Sequence, residues 1–354
     1  MLPSGLLAQH LAAFSDIQNF FYVFDAGVIK KVENLKVQSY KVGGELLAYI
    51  DNSGALKVYD NGAVTTLEYA GPAMQYYVTD YLMGYKYFDF LKVYDRGKVI
   101  TLSTAVQGYV VQDSLIGWYD RIQQTVNVYY QGRTIVLEDG LLDFPVDNIK
   151  SGDNTLAYIT TYDNKFKVFY NGDTWVVDDF GGNLIYKAGR DIVAYMDIPR
   201  NIFKVFYKGE VFELEYFIPQ SFETGDDMVV YVDDMGNFKI WDQGITYNLI
   251  SYAPQWYEVK DRSLVFNDQN YFKTFCNGKV QTIEPYIPVK HAMDWNTIAY
   301  IDENRNVRAV QNCEKSVVTY EVVIDVEMNR NLILYKTGAN TTRIFYFGQT
   351  IDGR

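Results

Sequence analysis

Short runs that alternate apolar with polar or basic residues recur along the whole chain, and each is closed by a glycine. Leu56-Lys57-Val58-Tyr59-Asp60-Asn61-Gly62, Leu91-Lys92-Val93-Tyr94-Asp95-Arg96-Gly97 and Phe203-Lys204-Val205-Phe206-Tyr207-Lys208-Gly209 are three copies. Alternation at period two gives a strand with one buried and one wetter face. The glycine supplies the positive φ that a tight hairpin requires, and a further strand follows at once, as in Val64-Thr65-Thr66-Leu67-Glu68. About a dozen residues before each glycine a small or apolar residue precedes an aromatic one, as in Ala48-Tyr49, Ala157-Tyr158, Ala194-Tyr195 and Ala299-Tyr300. A polar turn such as Asp51-Asn52-Ser53-Gly54 links that strand to the next. With an opening strand such as Gln38-Ser39-Tyr40-Lys41-Val42, each unit holds four short strands.

The closing glycines stand at 27, 62, 97, 132, 172, 209, 244, 278 and 348, with Cys313 in the register between the last two. The steps of 35, 35, 35, 40, 37, 35 and 34 residues up to Gly278 mark a repeat architecture. Four-stranded units without helical periodicity, each too small to bury its own apolar faces, predict an all-β propeller in which neighbouring blades cover one another. The sparse first and last units predict about nine blades, with eight as the alternative, and a ring closed by sharing N- and C-terminal strands. Residues 1–18 read as a leader or signal-peptide remnant, with weak helical spacing at His10–Phe14, and 19–354 as a single propeller domain.

Six residues after most glycines stands an acid: Glu33, Glu68, Glu138, Asp178, Glu215 and Glu284, with Ser103 and Ile250 as exceptions. At the end of an outermost strand, such charges are expected to block edge-to-edge pairing. The linkers between repeats place a tyrosine just before a proline, as in Glu215-Tyr216-Phe217-Ile218-Pro219 and Glu284-Pro285-Tyr286-Ile287-Pro288. Tyr69, Tyr216, Phe217, Tyr252, Trp256, Tyr257 and Tyr286 are therefore expected on one face, as contacts for a protein partner. The alternative is that these rings pack between blades.

The net charge of −12, without a basic cluster, argues against nucleic acid and against an anionic membrane surface as partners. No apolar run approaches a membrane span. Cys276 and Cys313 occupy the same turn of adjacent repeats and are expected to stay unbridged, because blades splay at their rims. His10 and His291 are the two histidines, and they assemble neither a zinc site nor a catalytic triad. Asp80, Asp113, Asp153, Asp226, Asp227, Asp261 and Asp294 fall at the ends of first strands, toward the axis. Glycoside hydrolysis needs two distinguished carboxyls, and this scatter singles out no pair. The expectation is a non-enzymatic binding protein without catalytic residues, cofactor or metal. A carbohydrate-binding or glycan-cleaving propeller is the alternative, and a cell-surface adhesin a third reading.

The Leu7-Ala8-Gln9 ending is similar to signal-peptide ends of secreted Bacteroidota proteins. A Tyr/Phe/Asn/Asp-rich, nearly histidine-free propeller behind such an ending resembles the Plug subunit of their type 9 protein-secretion translocon. That resemblance implies a soluble periplasmic protein that seals the periplasmic mouth of a large outer-membrane β-barrel. It transfers no functional residue.

Overall fold

In a computed structural model, the structure describes residues 10–69, 74–142, 144–179, 182 and 184–353. They form ten sheets, spanning 11–33, 39–69, 75–103, 106–138, 150–178, 184–215, 221–250, 257–284, 290–319 and 323–352. Nine sheets are four-stranded meanders and the first has three strands: β1 (Leu11–Ser15), β2 (Phe21–Asp25) and β3 (Val28–Glu33). The second blade holds β4 (Ser39–Val42), β5 (Leu46–Ile50), β6 (Ala55–Asp60) and β7 (Ala63–Tyr69).

The count is thus ten, not nine or eight, and among the described residues no sheet mixes strands from the two ends of the chain. The expected sharing fails for two local reasons. His10–Phe14, read as part of a leader, contributes β1, which pairs antiparallel with β2 from Leu11↔Asp25 to Ser15↔Phe21. The last unit completes itself with the short strand Gln349–Asp352, paired to Thr342–Tyr346. First and last blades instead meet by packing: Ala12, Phe14 and Phe24 bury against Leu332, Leu334 and Ile344.

Met1–Phe88, Lys92–Thr101 and Pro288–Arg354 form one compact unit, and Asp89–Leu91 with Leu102–Ile287 form another. Within each, the core lies between neighbouring sheets. In the first unit Val23 of β2 packs with Leu47, Tyr49 and Tyr59 of the second blade. In the second unit Ala194 and Val205 pack with Val229 and Tyr231 of the next blade. A sheet of this size buries both faces only in this way.

The acidic residues after the glycines are not edge guards. A register shift recurs where the third strand meets the fourth: Leu56 pairs with Glu68 but Lys57 with Thr66, and Phe238 pairs with Ile250 but Lys239 with Asn248. The skipped residue bulges, and a bulge re-aims its neighbour. The acid then reaches into the next blade. Glu33 accepts hydrogen bonds from Tyr49 (2.9 Å) and Lys57 (2.7 Å). Glu215 accepts from Tyr231 (2.9 Å) and Lys239 (2.7 Å), and Glu138 from Tyr158 (2.8 Å) and Lys167 (2.6 Å). Glu68 pairs with Lys92, and Asp178 with Arg200 at 2.8 Å. Burial, followed by the Glu215 carboxylate, pushes the Tyr231 hydroxyl well above its ordinary pKa. Where the acid is missing, the contact changes: opposite Ser103 both the Tyr and the Lys are replaced, whereas opposite Ile250 only the Tyr is, and Lys273 pairs with Asp268 of its own blade. Ser103 faces a blade with Trp118 and Asn127 in the Tyr and Lys places, and donates to Asp120 at 2.7 Å. Ile250 packs in a cluster containing Phe266.

Both cysteines are disulfide-bonded, contrary to the sequence expectation. Each stands at the third-to-fourth-strand turn of its own blade, so the two occupy equivalent places in the repeat. Cys276 ends Tyr271–Cys276, and Cys313 follows Val307–Gln311 with φ +68° in glycine's place.

Candidate docking surface

An up-and-down blade has two ends. One carries the linker from the previous blade and the turn between second and third strands; the other carries the first-to-second and third-to-fourth turns. Inner strands set which ends gather together. A Cβ on Gly152 would lie 2.1 Å from Gly189 O, one on Gly189 2.1 Å from Gly225 O, and one on Gly225 2.3 Å from Asp261 O. Only glycine permits that approach, and it aligns the turn ends of four successive blades of the second unit. Backbone bonds between those turns hold the alignment: Asp227 N–H donates to Arg190 O (3.0 Å) and Asp226 N–H to Asp261 O (2.7 Å).

In the second unit the two ends differ in chemistry. Its turn end is built from polar pairs such as Asp153-Asn154, Arg190-Asp191, Lys208-Gly209, Asp226-Asp227 and Asp261-Arg262. Few of its exposed large hydrophobic residues lie there: Ile245 follows the Gln243-Gly244 turn, and Trp175 reaches Gly209. The linker end exposes Ile122, Leu142, Tyr162 (64%), Ile198, Tyr216 (73%), Phe217 and Met235 (82%). The first unit likewise exposes Ile17, Leu35, Tyr69, Phe88, Tyr320 and Val322 at its linker ends, but also has Phe347 exposed in a turn at the other end. Apolar groups gathered on one surface mark an interaction site, whereas scattered ones do not.

The structure sorts the sequence candidates. Tyr69, Tyr216 and Phe217 are well exposed at linker ends. Tyr252 is exposed less and donates its hydroxyl proton to Asp268. Trp256 and Tyr286 are half-buried, Trp256 with its ring 6.3 Å from that of Phe272. Tyr257 is a correction. It opens the strand Tyr257–Lys260, its ring lies 5.0 Å from Phe238 and its hydroxyl 2.9 Å from Ser221 Oγ. It packs against the preceding blade, because an inner-strand aromatic at that register faces the neighbouring sheet. Tyr162, Ile122 and Met235 escaped the sequence reading. Their signal was an apolar residue inside an otherwise polar second-to-third turn, as in Asp233-Asp234-Met235-Gly236-Asn237.

At the turn end the acidic positions are bridged by arginine. In the second unit Arg190 lies 2.5 Å from Asp153, 3.2 Å from Asp113 and 3.6 Å from Asp226. Burial lifts Asp226 from its ordinary 3.8 to about 6; Arg190 opposes the shift and Asp153 adds to it. In the first unit Arg330, 1% exposed at its side chain, pairs with Asp80 at 2.7 Å, and its backbone N–H donates to Asp294 at 2.7 Å. The Arg330 guanidinium lies 4.8 Å from the Trp295 ring.

The chain matches the 10-bladed beta propeller domain family over residues 5–351 and belongs to that family. No curated protein matches it in sequence. Among solved structures it is similar to the computationally designed Ika8 protein, with 15% identity over 77% of this chain and 95% of that one (TM-score 0.36). It is similar to the CRINKLY WD40 ectodomain of the Arabidopsis thaliana receptor kinase ACR4, with 9% identity over 69% of this chain and 99% of that one (TM-score 0.36). It is also similar to PorZ, a surface component of the type-IX secretion system of Porphyromonas gingivalis, with 8% identity (TM-score 0.30); the match covers 98% of this chain and 59% of the PorZ chain.

Proposed function

We propose that this chain is a non-catalytic binding platform that docks a protein partner through the linker ends of its blades. The observation that carries this reading is that most turn and linker residues of the second unit that are large, apolar and exposed gather at its linker end, opposite a turn end built mainly of polar and charged pairs. Large, rotamer-poor side chains such as Tyr162, Tyr216 and Phe217 supply contact area at low entropic cost. The partner in this reading is a large outer-membrane β-barrel translocon whose periplasmic end the propeller plugs, as the resemblance to the type 9 Plug subunit implies. The disulfide-bonded cysteines fit an oxidising compartment such as the periplasm.

The test replaces Tyr216 and Met235 together by Asp. Far-UV circular dichroism and melting temperature should stay unchanged, because both side chains are exposed. Co-purification with the translocon barrel should be lost, while Gln243→Glu at the opposite end leaves it intact. Full retention by the double variant would assign the contact elsewhere. A second reading, glycan cleavage, draws on Asp226, whose raised pKa beside Asp153 suits a general acid. Asp226→Asn should then abolish turnover on a glycan panel, and a panel on which the unaltered protein is inactive removes that reading.

A further inference from the structure

Contacts between turns and linkers join the apolar groups at the linker end of the second unit into one band. Leu141 N–H donates to Gln124 O (2.9 Å), which ties the linker carrying Leu142 to the turn carrying Ile122. The Tyr162 hydroxyl donates to Glu138 (3.3 Å), so the turn of the next blade meets the start of that same linker. The turn at 198–201 is held from two sides: Arg200 donates to Asp178 (2.8 Å), and Asn201 Oδ1 accepts from Ile218 N–H (3.3 Å). Gln220 Nε2 donates to Asp234 O (3.3 Å), which brings in the turn carrying Met235. Four successive blades thus present a continuous surface and not isolated apolar residues.

That surface has a sign. The basic residues of its turns are already neutralised: Arg121 lies 3.3 Å from Asp89, Lys165 3.2 Å from Asp163, and Arg200 2.9 Å from Asp197. The linkers at 139–149, 179–183 and 216–220 contain no lysine or arginine. Asp139, Asp147, Asp179 and Asp234 are exposed in these turns and linkers, and among the described residues none of the four is in an ion pair. A second copy docked by two-fold symmetry would set these carboxylates against themselves, and like charges oppose that contact. Resting on the docking role proposed above, we propose that the linker end of the second unit takes a protein surface with an apolar centre and a rim of lysine or arginine. The apolar band supplies contact area, while the acidic residues around it steer a basic partner in and turn an acidic one away.

Surface plasmon resonance on the immobilised full chain tests this with two short synthetic peptides, one alternating leucine with lysine and one alternating leucine with glutamate. The lysine peptide should bind and the glutamate peptide should not. Asp179→Lys with Asp234→Lys should slow association of the lysine peptide roughly tenfold or more. Asp173→Lys with Glu210→Lys, an equal charge change on exposed residues at the turn end, should leave it nearly unchanged. Equal losses from both pairs would reveal attraction by overall charge and overturn the proposal. Failure of the lysine peptide to bind, or equal binding of both peptides, would overturn it as well. Co-purification with the translocon barrel separates this inference from the docking role. Loss with Tyr216→Asp and Met235→Asp, but full retention with Asp179→Lys and Asp234→Lys, would overturn the basic rim and leave docking standing. Retention with both pairs would remove both. Dimerisation of the unaltered chain that Met235→Asp abolishes would make a second copy the occupant and overturn the proposal.

Discussion

Asp226 illustrates how one residue can couple the fold to pH. Its folded pKa of about 6 lies above the ordinary 3.8, so folding favours the protonated form. The stability tied to that proton is fully present below about pH 4 and is lost as pH rises through about 6. Asp226→Asn should therefore melt higher than the unaltered chain at pH 8, by about 1–2 kcal/mol, with the gap closing toward pH 4. Thermal melts across that range check it, and a gap that widens on acidification would contradict the burial argument. Arg190 keeps Asp153 and Asp113 in the variant, so the cluster stays paired.

At the scale of the blade, the acid–Tyr–Lys contact is a joint between neighbouring sheets. Lys239→Met should leave Glu215 half-buried with one donor fewer and cost about 1–3 kcal/mol in urea unfolding. Glu215→Gln in the same chain should recover part of that loss, and strict additivity of the two changes would show that the pair is not coupled. This joint also marks what the sequence made readable. The turn glycine and the alternating strand before it are local signals, so the meander and its period were legible residue by residue. The role of Glu33 or Glu215 was not, because a bulge and a neighbouring sheet decide where each carboxylate points. The tenth blade hid behind a fourth strand of only Gln349–Asp352, and the first behind a strand read as helical leader. Among the linker aromatics, Tyr216 and Tyr257 look alike in sequence. Only the pleat decides that one meets solvent and the other the preceding blade.

Across the whole molecule, the formal charge of −12 and a sequence pI near 4.7 set how it meets other macromolecules. Neither duplex DNA nor vesicles rich in anionic lipid should retain it at physiological salt, because both need a positive footprint. Co-sedimentation with each measures this, and retention abolished by added salt would reveal a basic surface that the sequence does not show. Blade order carries a second constraint. The acid joints within each unit, such as Glu33 with Tyr49 and Lys57, are half written in one repeat and half in the next, so those repeats are not interchangeable parts. Excising residues 104–138 would bring Ser103 against Tyr158 and Lys167, whose carboxylate, Glu138, leaves with the excised piece. Evolution can shorten, lengthen or shuffle such a run of blades only by changing both sides of a seam, so blades joined in this way keep their neighbours.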